Sequence, residues 1–572
     1  MRQIFTNKLL LLAFLFTLTI RLSATAGDTL VIARNFYHVD HKSRLILVNQ
    51  KPEVINREYN DVKSHLALDG VYTFTQGVPE VDNGTSYEVT RENKLYQLYF
   101  TQLPVVRIST KNKIVDSPSV YAQFALDEAD GKVTESFLKI EIRGNFSQTF
   151  PKKSYELGFV NDTLAGASRD LSLLGLRNDN KYNLQAMYNE PLRIRSKTSN
   201  ELWQEIHQIY YKNLEPEAKN GIDMEFVEVF VNDEYQGIYT LSERVDRKQL
   251  KLKKYNNGIT GELYKGESWD GAVTFTLLPP YDNANETWGG FEYKHPEEKT
   301  DWKNLYDFVD FVKNSPKQEF NSTYQQKFHL GNAVDYFIFL NLTRAGDNTG
   351  KNIYIAKYKQ GEPYYYVPWD LDGVFGTDWM GLDQPTTNDV LSNGFYDRLL
   401  QDCSSTGFRN ALRTRWAELR ATVVTEQNIM AKFRANHDYL MANNAFERET
   451  RTWNSFEQTP EQLTYINTWL KARLAFLDAE FGRSCLALAA QPSKQSQPLK
   501  LYPNPASDYL NIELDATASG ELSIRDLSGR EVLRSALQGK QHKLPVAHLQ
   551  KGLYVVTLRS AAEVRTQKLV IN

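Results

Sequence analysis

The chain has 572 residues, 41% hydrophobic and 12% aromatic, with a formal net charge of −3. That length asks for several cores and that composition can fill them, which excludes a disordered polymer. The charge leaves no basic excess for nucleic acid or an anionic membrane, and nine His with two Cys leave no room for a Cys/His zinc cage. No HExxH pair occurs, so any metal here is hard and oxygen-bound.

The first residues read as a secretory signal, with basic Arg2 and Lys8, an apolar stretch from Leu9 to Ile20, and small residues Ala24-Thr25-Ala26 before Gly27. Residues 1–26 are therefore expected to be removed on export. Arg21 ends the apolar run short of a span, and no later segment is long and apolar enough to cross a bilayer, so no transmembrane span is expected after removal. Export into an oxidising compartment lets Cys403 and Cys485 form a disulfide, against the alternative of two buried thiols.

Residues 27–101 show short alternating runs such as Tyr72-Thr73-Phe74-Thr75, broken by Asn and Gly turns, and predict a small β-rich region. From residue 102 to 485 a larger domain is expected, strands first and helices after. Its hairpins include Phe137–Arg143 returning through Lys153–Phe159, and Val227–Val231 returning through Gly237–Leu241. A helix is predicted around Arg195 to Ile206. After Asp301, helices are predicted at Trp302–Val312, at Asn332–Ala345, and along the stripe Leu463, Ile466, Leu470, Leu474, Leu477 and Phe481. These stripes are core. Residues 486–498, rich in Ala, Gln, Ser and Pro, read as a linker, and 499–572 as a small β-sandwich tail.

Chemistry concentrates after the Asn332–Ala345 helix. Gly346 suits a left-handed helix end, and Asp347-Asn348-Thr349-Gly350-Lys351-Asn352 leave it as a loop. Two aromatic-rich strands follow, Ile353–Tyr358 and Tyr364–Trp369, then Asp370-Leu371-Asp372. A turn centred on Gly361 predicts Asn352 opposite Asp370, about 5 Å across the hairpin. Asp347, Asn352, Asp370 and Asp372 then form an oxygen-rich mouth for a divalent cation: Mg²⁺ with substrate phosphates, or Ca²⁺ as the rival. Asp347 and Asn352 also stand five apart, as the catalytic Asp and metal-binding Asn of protein kinases do, and Asp370 follows the next hairpin. Positive charge for phosphate is offered by Arg143-Gly144-Asn145 and by Lys152 and Lys153.

These residues, with Pro151-Lys152-Lys153-Ser154-Tyr155, Gly237-Ile238-Tyr239, Glu243-Arg244-Val245-Asp246, Gly261-Glu262-Leu263-Tyr264-Lys265 and Trp369-Asp370-Leu371-Asp372, resemble the spore coat protein H (CotH) kinase family. The resemblance runs from about Leu103 to Cys485. It implies an α+β, atypical protein-kinase-like two-lobed fold and phosphate transfer from ATP, with Mg²⁺ or Mn²⁺, to Ser or Thr of a partner protein. It implies that Asp370 holds the metal with Asn352 assisting, that Asp347 lies near the acceptor hydroxyl, that Lys153 or Lys152 meets phosphates, and that Glu243 lies near the nucleotide or the lobe connection. Arg193 is a further family mark. A catalytically silent surface binding or structural protein is the alternative, and glycan cleavage a distant third. The tail, with Leu501-Tyr502-Pro503-Asn504-Pro505, Asp526-Leu527-Ser528-Gly529-Arg530 and Gly552-Leu553-Tyr554, resembles a type IX secretion sorting domain. That implies the type IX machinery as a partner and a secreted or surface location.

Overall fold

In the strand Val133–Arg143, Leu138 and Ile140 are buried while Phe137 and Lys139 are exposed, the alternation a half-buried strand requires. This strand pairs antiparallel with Val120–Asp127 on one side and Ser154–Val160 on the other. Lys181–Gln185, Glu234–Ser242, Met224–Val231 and Val105–Ser109 continue the ladder until it closes as a seven-stranded barrel. Closure leaves no free sheet edge. Leu138, Ile140, Leu157, Phe159, Leu184, Val229 and Leu241 pack its interior. The computed structural model describes residues 28–484 except 455, 457, 458 and 460, and 499–572 except 527–529 and 561–563. The signal segment, the linker and Cys485, hence the expected Cys403–Cys485 bridge, lie outside the described residues.

Before the barrel, seven strands between Thr29 and Phe100 form one sheet over a core that includes Leu30, Ile46, Val48, Leu66, Tyr72 and Leu98. Beyond the barrel, a five-stranded sheet takes Glu262–Gly266 between Phe291–His295 and Ile353–Lys357, with Tyr364–Pro368 at one edge. The helix Leu330–Thr343 packs on Tyr364–Pro368, and Phe337, Tyr366, Phe395 and Trp469 join the largest core. Val334, Phe337, Ile338 and Leu342 are buried as expected, but so are Ala333, Tyr336, Phe339 and Leu340, because this helix is enclosed on all sides. Ile466, Leu470, Leu474, Leu477 and Phe481 are buried along the helix Glu461–Phe481.

The architecture is thus mixed, strands to His295 and helices mainly after Lys303. Among the described residues no helix is long and apolar enough to cross a membrane. The tail is all-β, its five strands hydrogen-bonded as one sheet around Leu510, Ile512, Ile524, Val556 and Leu569.

Candidate functional site

The enclosed helix must release the chain without losing its last carbonyls. Arg344, not Gly346, adopts the left-handed conformation (φ 53), and its amide bonds back to the Asn341 carbonyl. A non-glycine residue there is strained by about 1–2 kcal/mol. It is held by a guanidinium fork on Asp389, Nε to Oδ1 at 3.0 Å and Nη2 to Oδ2 at 2.7 Å. Gly346 is free to open a short 3₁₀ turn, Gly346–Thr349, which carries Asp347.

The hairpin register also differs from the expectation. Ile353 pairs with Pro368 and Lys357 with Tyr364, so the connection is 358–363 and has no central residue. Gly361 is left-handed (φ 83) but off centre. The ladder therefore sets Asn352 level with Trp369, one residue short of Asp370. Asn348 supplies the convergence instead. Its buried amide donates to the carbonyls of Asn352 and Trp369, both at 2.7 Å. Asn352 (φ 55) and Asp370 (φ 57) are both left-handed, a conformation Asn and Asp tolerate better than most side chains. Two strained residues at one hairpin mouth are what a functional site leads one to expect.

The mouth opens on a cleft of about 880 Å³, lined by Arg143, Lys152, Asp347, Asn352, Asp370 and Asp372. Asp347, Asp370 and Asp372 form no ion pair with Lys or Arg among the described residues. Burial raises the Asp347 carboxyl above its usual range, with Asp370 adding to the effect and Lys351 opposing it. Burial and the neighbouring Asp370 charge push Asp372 well above that range. One Asn189 amide donates to Asp372 at 3.2 Å and to the Trp379 carbonyl at 2.8 Å.

Arg143 ends its barrel strand with the guanidinium 5.5 Å from the centre of the Trp369 ring. It forms no ion pair among the described residues; burial pulls it below its ordinary value and Asp370 opposes that. Lys152 is buried, donating to Glu449 at 2.6 Å and to the Ile238 carbonyl at 2.5 Å, and burial brings it down to about 7. Lys153 does not line the cleft: its ammonium turns to the carbonyls of Gln148 (2.7 Å) and Phe150 (2.5 Å). Glu243 does not line it either. It is fully buried, accepting from the amides of Arg177 and Asp223 and pairing with Lys219 at 3.2 Å.

Arg193 is given no role by the sequence alone. It is left-handed (φ 60), donates to the carbonyls of Met187, Tyr188 and Glu190, and contacts Glu449 at 3.1 Å. It thereby ties off the turn that presents Asn189 to Asp372. The sequence places Asn348 in the loop without a role, and it gives Asn189 and Glu449 none, since a single Asn or Glu with partners such as Trp369, Asp372 or Lys152 far along the chain leaves no periodic signal.

Oxygen donors of this kind suit a hard cation. Among the described residues no group of three or more His, Cys, Asp and Glu could hold a metal ion by itself. The fit is to an ion that takes one or two carboxylates and an amide oxygen and completes its shell with phosphate oxygens and water.

A profile of the CotH kinase protein family matches residues 140–477, and one of the secretion system C-terminal sorting domain matches 500–572. No curated protein matches the chain. Among solved structures, the twitchin kinase region from C. elegans is 9% identical, covering 82% of this chain and 99% of that one at a TM-score of 0.15. A score that low carries no argument about fold.

Proposed function

Because the chain belongs to the CotH kinase protein family and bears a tail that marks it as secreted or displayed on the cell surface, we propose that it is an atypical protein kinase acting outside the cell. In this reading it transfers phosphate from Mg-ATP to a Ser or Thr of an exported partner protein. The barrel and the helices serve as the two lobes about the cleft. One observation carries the reading: three carboxylates and Arg143, none of them ion-paired among the described residues, face the same cleft.

Bound Mg²⁺ or Mn²⁺ would draw phosphate oxygens into place and offset their charge. Asp370 and Asn352 would hold it, with Asp372 beside them. Asp347 would accept the proton of the acceptor hydroxyl, and its raised affinity for a proton suits a base. Arg143 would meet the phosphates with its planar guanidinium. Asn189, bonded to Asp372, would keep that carboxylate oriented.

A second reading is favoured by the two lysines. Lys152 is tied to Glu449 and the Ile238 carbonyl and Lys153 to backbone carbonyls, so both ammonium groups already have protein partners. That arrangement suits a protein that binds a nucleotide without turnover. The deciding experiment incubates the mature chain with ATP, Mg²⁺ or Mn²⁺ and candidate surface proteins, and detects added phosphate by mass spectrometry. Transfer that disappears in both Asp370→Ala and Asp347→Ala supports the kinase, and transfer that persists in both overturns it. Stabilisation by nucleotide with no phosphate added anywhere supports the silent reading.

A further inference from the structure

Glu449 is fully buried on the helix Ala445–Thr452, and its carboxylate collects donors from three separate parts of the chain. Lys152 at 2.6 Å and Arg193 Nε at 3.1 Å share Oε1, and the Ile238 amide reaches Oε2 at 2.8 Å. The barrel strand leaves space for it: Gly237 has φ +91, and a Cβ there would stand 2.1 Å from Oε2. Next to it, fully buried Arg448 reaches Glu228 of the barrel at 2.8 Å.

The same helix is gripped by residues outside the family match, which begins at residue 140. The Tyr99 hydroxyl donates to Glu447 at 2.9 Å, and the Arg448 guanidinium lies 5.2 Å from the centre of the Tyr99 ring. In the turn just before the helix, Asn443 accepts from the Gln102 amide at 2.6 Å and gives its carbonyl to Arg448 at 2.9 Å, and on the helix Arg451 donates to the Ser43 carbonyl at 3.2 Å. Tyr99 is also part of an apolar cluster with Leu45, Leu47, Val105, Phe230 and Tyr235, which seats the amino-terminal sheet on the barrel.

We infer that the amino-terminal sheet is an anchoring module for the Ala445–Thr452 helix, and that Glu449 on that helix is the positioning residue for Lys152 in the cleft wall. The inference rests on the reading of the cleft as a nucleotide-phosphate site. The charged and titratable groups facing Lys152 are Glu449 from the helix, Arg193 from the preceding turn and Tyr239 from the barrel. Burial lowers Lys152 most, Glu449 works to restore its proton, and Arg193 works against it. The strength of this cation therefore depends on Glu449 being in place, and the placing of Glu449 depends on what anchors its helix.

Two measurements on the mature chain test this. One is the affinity for a fluorescent, non-hydrolysable Mg-ATP analogue between about pH 5.5 and 8.5; the other is amine labelling of Lys152 without nucleotide, read by mass spectrometry. Wild-type affinity is expected to fall as pH rises through about 7, where Lys152 loses its charge. Glu449→Gln moves that fall to lower pH, about tenfold in affinity for each unit moved. Tyr99→Ala, remote from the cleft, moves it in the same direction and raises Lys152 labelling several-fold, while Tyr99→Phe, which keeps the ring, does so less. If Tyr99→Ala fails to fold, Asn443→Ala is read in its place.

Glu449→Gln with the wild-type pH profile overturns the positioning role. A folded Tyr99→Ala or Asn443→Ala with wild-type profile and labelling overturns the anchoring role. If the wild type binds no nucleotide, the phosphate reading fails and labelling alone decides the anchor: increased labelling of Lys152 upholds it, unchanged labelling overturns it.

Discussion

The side-chain amide of Asn348 donates to the carbonyl of Trp369 at 2.7 Å, and so fixes the peptide that leads into Asp370. The same amide holds the Asn352 carbonyl at 2.7 Å. Both ends of the hairpin are thus tied to the turn that carries Asp347. Asn348→Ala leaves two carbonyls without this partner and is expected to cost on the order of 2–3 kcal/mol. Urea unfolding measures that loss. Nucleotide-induced stabilisation should fall with it, because Asn352 and Asp370 lose their common support.

Asp370 combines backbone strain with chemistry, and two substitutions separate them. At φ 57 a glycine is unstrained, whereas alanine keeps a penalty of about 1 kcal/mol. Asp370→Gly should melt at or above the wild-type temperature, since it also removes the charge that bears on Asp372. Asp370→Ala should melt below Asp370→Gly. Neither should gain stability from Mg²⁺ with nucleotide. A glycine variant that still transfers phosphate rules out the metal-holding role.

Arg143 lines the cleft and forms no ion pair among the described residues, and the proposed function gives it the phosphates. Arg143→Ala should weaken nucleotide binding about tenfold or more, the scale of a lost charge-assisted hydrogen bond. Arg143→Lys should recover only part of it, because a lysine ammonium lacks the planar fork and the face-on packing over Trp369. Calorimetric titration distinguishes the three proteins.

His38 makes the junction of the amino-terminal sheet with the barrel sensitive to acid. It is buried beside Asp127, whose carboxylate is already held by Arg107 at 2.6 Å, and burial together with the Arg107 charge lowers His38 to about 3. Its folded value lies below its unfolded one, so the neutral ring supports folding fully above about pH 6.5, and that support drains away as pH falls towards 3. Thermal melts from pH 7 to pH 5 should show the wild type losing about 1.4 kcal/mol per pH unit below that point, relative to His38→Gln. Parallel pH curves for the two proteins would place the acid sensitivity elsewhere.

Much of the site was legible because it is local. Asp347, Asn352, Asp370 and Asp372 all lie at one helix end and one hairpin, and short-range spacing brings such residues together whatever the rest of the chain does. Errors arose where a single residue decides local geometry. The hairpin closes on an even number of residues, so its register misses the one drawn about Gly361, and the helix ends on strained Arg344 because Asp389 awaits its guanidinium. Lys152 and Lys153 look interchangeable as written. The fold turns one toward Glu449 and the other toward its own loop.

The amino-acid sequence by itself determined the order of strands before helices, the separate β-rich tail and the grouping of the acidic residues, because periodicity and turn chemistry act over a few residues. Its short-range patterns also carried the family motifs. Only the tertiary structure decided that the barrel closes, that Asn348 and Asn189 hold the acidic cluster in place, and that Glu449 secures Lys152. Each of those depends on partners far apart along the chain, whose meeting is set by packing and by the need to satisfy buried charge, neither of which leaves a pattern in neighbouring residues.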